Sequence, residues 1–179
     1  MTGRRDAKAV LVTGAFGVGK TSLIEEMAEV FEEHAIRYAA IDLDWLAWFD
    51  VGGGPDDHAA AVPTMLKNID AVAGNYYETG VRVFAIAGAV GSLQDIEAIQ
   101  AALAMPLTSV RLTVPLAEIE RRLSSSVTSG RQVDLSMARE WFADRTGEEV
   151  GDIVIANDRS IREVALAVFD ELGWLSPEH

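Results

Sequence analysis

The sequence predicts a three-layer α/β/α domain on a five-stranded parallel sheet, and three observations carry that prediction. Apolar runs alternate with helix-period segments along the chain, the pattern of strands joined by right-handed helical crossovers. One run, VRVFAIAGAV, is almost wholly apolar, as suits a central parallel strand covered on both faces. A glycine-rich turn, GAFGVG, links the first apolar run to the first helical one.

Taken in order, AVLVTG reads as a buried strand. TSLIEEMAEVFEEHA follows as a helix with Leu23, Ile24, Met27, Val30 and Phe31 on one face. RYAAID is the second strand. PTMLKNIDAVAGNYYETG is a helix, with Pro63 suited to its first turn and Gly80 to its stop. VRVFAIAGAV is the third strand, Leu93 to Leu103 a short helix, and SVRLTV the fourth strand. LAEIERRL and LSMAREWFADRT are helical, and DIVIA is the fifth strand. The last helix opens with Ser160 and Glu163 at capping-box spacing. It buries Ile161, Val164, Ala165, Val168, Phe169 and Leu172. Two segments, WFDVGGGPDDHAA and SSSVTSGRQVD, are polar or glycine-rich and read as mobile loops.

At 179 residues the chain suits one domain with a real core. The net charge of −13 argues against a nucleic-acid surface and against docking on anionic lipid. With no cysteine, the chain has no disulfide, thiolate metal site or cysteine nucleophile. No apolar run approaches membrane-spanning length and MTGRRDAK is no signal peptide, so a cytoplasmic location is expected. His34, His58 and His179 have no ligand spacing, so no histidine metal site is expected.

Gly14 to Thr21 reads G-A-F-G-V-G-K-T, which satisfies G-x-x-x-x-G-K-[ST] at a strand-to-helix junction. Glycines let the backbone fold around a phosphate chain with amide N–H groups pointing inward, and the helix start adds its positive end. The binding stretch GAFGVGKTS comprises Gly14, Phe16, Gly17, Val18, Gly19, Lys20, Thr21 and Ser22. Lys20 is expected on the β- and γ-phosphates of ATP, and the Thr21 hydroxyl on Mg²⁺. Lysine is scarce here, at Lys8, Lys20 and Lys67 only. The glycine order and the Lys-Thr pair disfavour a Rossmann dinucleotide site.

This motif gives nucleotide binding but not reaction type. No N-K-x-D is present to read guanine, and the D-x-x-G at Asp50 lies in an irregular loop rather than at a strand end. The third strand ends in Gly, Ala and Val, where a motor-type ATPase should carry an acid. AAIDLDWL instead puts Asp42 and Asp44 at the end of the second strand, beside the glycine turn in an open α/β sheet. Two residues apart on a strand, they would point the same way. One would hold Mg²⁺, and the other would orient or deprotonate an attacking hydroxyl.

Together these features resemble the small P-loop kinases, the shikimate, gluconate and adenylylsulfate kinase-like group, over nearly the whole chain. The order is P-loop, D-x-D, a glycine-containing turn after the third strand, an arginine-bearing lid near 124–138, and a last strand running into ANDRSIREVA. The resemblance implies a P-loop NTPase fold, ATP and Mg²⁺ as cofactors, and a small-molecule hydroxyl as acceptor. It implies Asp42 on the magnesium side and Asp44 on the acceptor hydroxyl. It sets Arg122 against adenine, with Arg121 as the alternative, Asn157 at the adenine edge, and Arg131 on the γ-phosphate.

The sequence departs from shikimate kinases in two places. Gly88 and Gly91 are separated rather than part of a triple-glycine turn, and no arginine follows the second strand from residue 43 to 75. Gly88 remains a substrate-side candidate. Arg139 either serves a substrate anion or forms a helix-surface ion pair. Trp45 and Trp48 either wall an apolar substrate pocket or belong to the core. Two other functions stay open: a nucleotide-binding regulatory or resistance ATPase with no acceptor, and a nucleoside or nucleotide kinase. The missing arginines speak against a phosphorylated acceptor.

Overall fold

The structure, a computed structural model, describes residues 3–49, 55–124 and 129–175, with the backbone alone at 55–59 and 129–131. Among the described residues there are five strands: β1 (Lys8–Thr13), β2 (Tyr38–Asp42), β3 (Val83–Ala87), β4 (Leu107–Thr113) and β5 (Ile153–Ala156). The seven helices are α1 (Lys20–Glu33), α2 (Leu43–Leu46), α3 (Pro55–Glu78), α4 (Leu93–Leu103), α5 (Leu116–Ser124), α6 (Ser129–Ala143) and α7 (Ile161–Leu172).

Every strand pairing is parallel, in the order β2-β3-β1-β4-β5. Strand β1 is central, with Val10 opposite Ala85 on one side and Thr108 on the other. The chain leaves β1 first toward β2 and later toward β4. A crevice therefore opens at the carboxyl end of β1, where ligands bind in sheets of this kind.

Side-chain alternation along the strands divides the core in two. Val10 and Val12 face α1, α5, α6 and α7, where Leu23, Met27, Phe31, Ile119, Val164 and Phe169 are buried. Ala9 and Leu11 face α3 and α4, where Met65, Ile69, Ile99 and Leu103 are buried. Each large aliphatic side chain so placed contributes roughly 1.5–3 kcal/mol relative to exposure. Helices on both faces complete the expected three layers. None of the described helices is long and apolar enough to cross a membrane.

Two boundaries differ from the sequence reading, and one alternative it left open is closed. Helix α3 begins at Pro55, so all of PDDHAA is helix and Pro63 is interior rather than in the first turn. Pro55 at the first helical position suits a helix start. An interior proline costs about 3 kcal/mol, which burial of Met65, Ile69 and Ala73 farther along the helix offsets. Helix α6 begins at Ser129, so the polar segment read as loop is helical from there on. Ala138 is buried, Leu135 and Trp141 pack against the same core, and Arg139 pairs with Glu120 of α5 at 2.8 Å. Tertiary packing thus overrides a weak local preference. Residues 125–128 of the expected lid, and Asp50 with its D-x-x-G, lie outside the described residues. Trp45 and Trp48 are not core: they are 69% and 75% exposed, with ring centroids 5.0 Å apart.

Candidate active site

Strand β1 ends at Thr13, and the chain wraps through Gly14–Gly19 into α1. Gly19 caps the helix at φ 102°, a conformation that side chains disfavour. A Cβ there would also stand 2.7 Å from Asn157 Nδ2. Asn157 follows β5 and is 93% buried, since it keeps 7% exposure. Its Nδ2 donates to the Val18 carbonyl at 2.8 Å, and its backbone N–H to the Thr113 carbonyl at 2.9 Å. Asn157 therefore braces the loop from below. Val18 is buried beneath it.

Lys20 is 7% exposed, and its ammonium donates to the carbonyls of Gly14 at 3.1 Å and Ala15 at 3.0 Å. Its Nζ also lies 5.1 Å from the Phe16 ring centroid. Burial pulls its pKa below the ordinary lysine value, and the negative charges of Asp44, Asp42 and Asp134 oppose that. The next residue, Thr21, donates its hydroxyl to Asp42 Oδ2 at 2.7 Å. Asp42 Oδ1 accepts from the backbone N–H of Asp44 at 3.0 Å, capping α2.

Asp44 thus sits in the first turn of a short helix, not in the extended strand end expected from period-two spacing. Its carboxylate is open to solvent yet flanked by the walls of the cleft. Their desolvation raises its pKa, Asp42 and Asp134 raise it further, and Lys20 opposes them.

The cleft above the loop encloses about 640 Å³, lined by Phe16, Gly17, Gly19, Lys20, Thr21 and Ser22 with Asp44, Arg122 and Asn157. That size suits a nucleotide-scale ligand. Arg122 Nε donates to Glu118 at 2.9 Å, and its guanidinium reaches the Asn157 carbonyl at 3.4 Å. Arg121 and Arg122 hold Glu118 at a pKa of about 2. Between the two arginines, Arg122 is the one in the cleft.

Asp134, Arg159 and Ile161 also line it, and sequence reasoning missed all three. Arg159 and Ile161 lie just past Asn157 and could have been found by extending that loop. Asp134 fell in the segment read as loop, so no helix face could be assigned to it. Arg139 takes the ion-pair alternative through Glu120. Arg131 lies outside the described side chains, as does His58. Gly88, after β3, packs under Leu43, where a Cβ would stand 2.7 Å from Leu43 Cδ1.

A second, smaller cavity of about 120 Å³ opens beside the first, between α2, α3 and the turn after β3. Leu43, Ala47, Val62, Met65 and Gly88 line it, with Asp44 at its edge. Asp44 is the one described residue that lines both.

Solved structures with the same architecture were found at low sequence identity. The Mycobacterium tuberculosis APS kinase CysC, in complex with AMPPNP and APS, superposes with a TM-score of 0.63 at 20% identity. The match covers 94% of this chain and 99% of that one. A sugar kinase from Janibacter sp. gives a TM-score of 0.66 at 15% identity, over 94% of this chain and 96% of that one. The fold is that of the small P-loop kinases. The Deinococcus radiodurans tunicamycin resistance protein shares it, with a TM-score of 0.59 at 16% identity over 93% and 96% of the two chains. No protein-family model and no curated protein matches the sequence.

Proposed function

We propose that this chain is a phosphotransferase that moves the γ-phosphoryl group of ATP to a hydroxyl of a small molecule. The observation that carries the reading is the position of Asp44 at the junction of a nucleotide-sized cleft and a separate small cavity. A nucleotidase needs only the first; transfer to an acceptor needs both, with a proton-accepting group between them.

The residues present fit Mg²⁺. Thr21 and Asp42 offer a hydroxyl and a carboxylate, hard oxygen donors that already touch at 2.7 Å. Bound there, the ion would neutralise charge on the β- and γ-phosphates. Lys20, held at the loop, neutralises the same phosphates. Gly17 and Gly19 leave the backbone close to them, and Arg122 lies on the adenine side. Asp44 accepts the acceptor's hydroxyl proton as the oxygen–phosphorus bond forms. The bond from the γ-phosphorus to the bridging oxygen breaks, and ADP departs. Positioning and charge stabilisation supply the catalysis, with no covalent enzyme intermediate. Arg131, on α6, is proposed to reach the transferred group. ATP is a cytoplasmic metabolite, so the reading carries a cytoplasmic location with it.

The test is ADP release from ATP and Mg²⁺ against a panel of hydroxylated metabolites and antibiotics, with products examined by mass spectrometry. Release that rises with one class of acceptor, with one phosphoryl group added to it, supports the reading. Slow release indifferent to every acceptor would favour a regulatory or resistance ATPase instead.

A further inference from the structure

Resting on the kinase reading above, we infer that the acceptor carries its hydroxyl on an apolar, ring-sized body that is neutral or cationic and bears no anionic group. A second cavity of about 110 Å³ lies next to the one beside Asp44, between α3 and α4, and the two share Val62, Met65, Ala89 and Val90 as walls. Leu66, Ala98 and Ile99 line its far end. Among the described residues, the ionisable groups on this whole path are Asp44 and Asp95, both acids. Asp95 is turned to Ser92, whose hydroxyl donates to it at 2.6 Å. No described guanidinium or ammonium faces the path, so among the described residues an anionic acceptor would meet two carboxylates and no counter-charge.

The same turn of chain exposes an aromatic surface. Trp45 directly follows Asp44, Trp48 directly follows the cavity-lining Ala47, and the two rings are neighbours at 5.0 Å. Adjacent exposed indoles are unusual on a free surface, and they suit the face of an apolar ligand or a cation. The apolar path takes the body of the acceptor, Asp44 takes its hydroxyl, and the acids beside it tolerate an ammonium.

Three probes share a phenyl ring and a benzylic hydroxyl and differ in charge: phenylethylene glycol, phenylethanolamine and mandelate. Each is titrated calorimetrically into the full chain saturated with AMPPNP and Mg²⁺. The glycol and the amine are expected to bind at least tenfold more tightly than mandelate. Equal or tighter mandelate binding overturns the inference. So does failure of all three to bind while AMPPNP binds normally, and that outcome leaves the nucleotide cleft standing. Failure of AMPPNP itself to bind removes the kinase reading and this inference together. A variant guards against a chance preference. Val62→Arg puts a guanidinium on the partly exposed wall of the path and should shift the ratio at least tenfold toward mandelate. An unshifted ratio in a variant that still binds AMPPNP overturns the assignment of this path to the acceptor.

Discussion

The Thr21 hydroxyl donates to Asp42 Oδ2 at 2.7 Å, which joins the first turn of α1 to the end of β2. The other oxygen of Asp42 holds the backbone of Asp44. One carboxylate therefore orients both a hydroxyl and a second acid. Asp42→Asn should weaken binding of Mg²⁺-AMPPNP by tenfold or more, and affinity for AMPPNP in EDTA should fall much less. Thr21→Ala should act in the same direction and Thr21→Ser should restore it, because serine keeps the hydroxyl. Calorimetric titration with and without Mg²⁺ checks each. Equal losses in EDTA would remove Mg²⁺ from this pair.

Asp44→Asn should leave nucleotide affinity nearly unchanged and cut transfer by about a hundredfold, the scale of a lost general base. The raised pKa of Asp44 adds a stability effect of definite sign. Between its unfolded value and its raised folded value, the native state binds more protons than the unfolded one. Stability therefore falls as pH climbs through that window. Above it the charged carboxylate is a net cost, so Asp44→Asn should melt higher than wild type at pH 7. Below the unfolded value the difference should vanish. In the wild type, the transfer rate should rise with pH through the folded pKa. Thermal melts and rate profiles from acid to neutral pH check both, and an Asn variant that melts lower at pH 7 would contradict the first.

The parallel sheet and its flanking helices were legible because strand and helix periods differ and neither depends on distant contacts. The glycine loop was legible because its three glycines and Lys20 fall within seven successive positions. The position of Asp44 beside the cleft follows from a different geometry than the expected one: the pair reads as extended, yet a helix turn places Asp44 at the cleft. Asp134 was invisible because its helix is held by packing through Ala138 and Trp141 rather than by local preference. The exposure of Trp45 and Trp48 could not be read either, since a tryptophan pair suits a core as well as a surface.

Lys20→Ala should abolish nucleotide binding. Its ammonium donates to two loop carbonyls, at Gly14 and Ala15, and on the proposed reading it would exchange them for phosphate oxygens. Burial lowers its pKa, so the native state holds its proton less tightly than the unfolded chain does. That contribution to stability rises with pH between the lowered value and the ordinary lysine value. The variant should lack this rise. Retained nucleotide affinity would reject the cradle. Denaturant melts between pH 7 and 10 test the linkage.

Asn157→Ala should expose the role of the brace below the loop. It leaves the buried Val18 carbonyl without its donor, at about 1–3 kcal/mol. Urea unfolding should show that loss, and AMPPNP affinity should fall with it because the loop is no longer held in register. Gly19→Ala should be worse, combining a φ of 102° with a Cβ 2.7 Å from Asn157 Nδ2. Wild-type affinity in Gly19→Ala would mean that the loop has another conformation when loaded.

Gly88→Ala separates acceptor geometry from nucleotide binding. Gly88 donates its backbone N–H to the Val12 carbonyl at 3.1 Å, which fixes it against β1. A methyl group there would meet Leu43 at Cδ1 2.7 Å, Cγ 3.2 Å and Cβ 3.2 Å. Rotation can clear the first contact but not the Cβ, so Leu43 must move by a few tenths of an ångström. Leu43 is the first residue of α2, and Asp44 is the second. The shift therefore reaches Asp44, the proposed proton acceptor, while Lys20 and Thr21, on another element, should stay in place. The transfer rate should drop by about tenfold to a hundredfold, the scale of a misplaced catalytic group, with the KM for ATP close to wild type. A matched rise in that KM would show that α2 and the phosphate loop move as one unit.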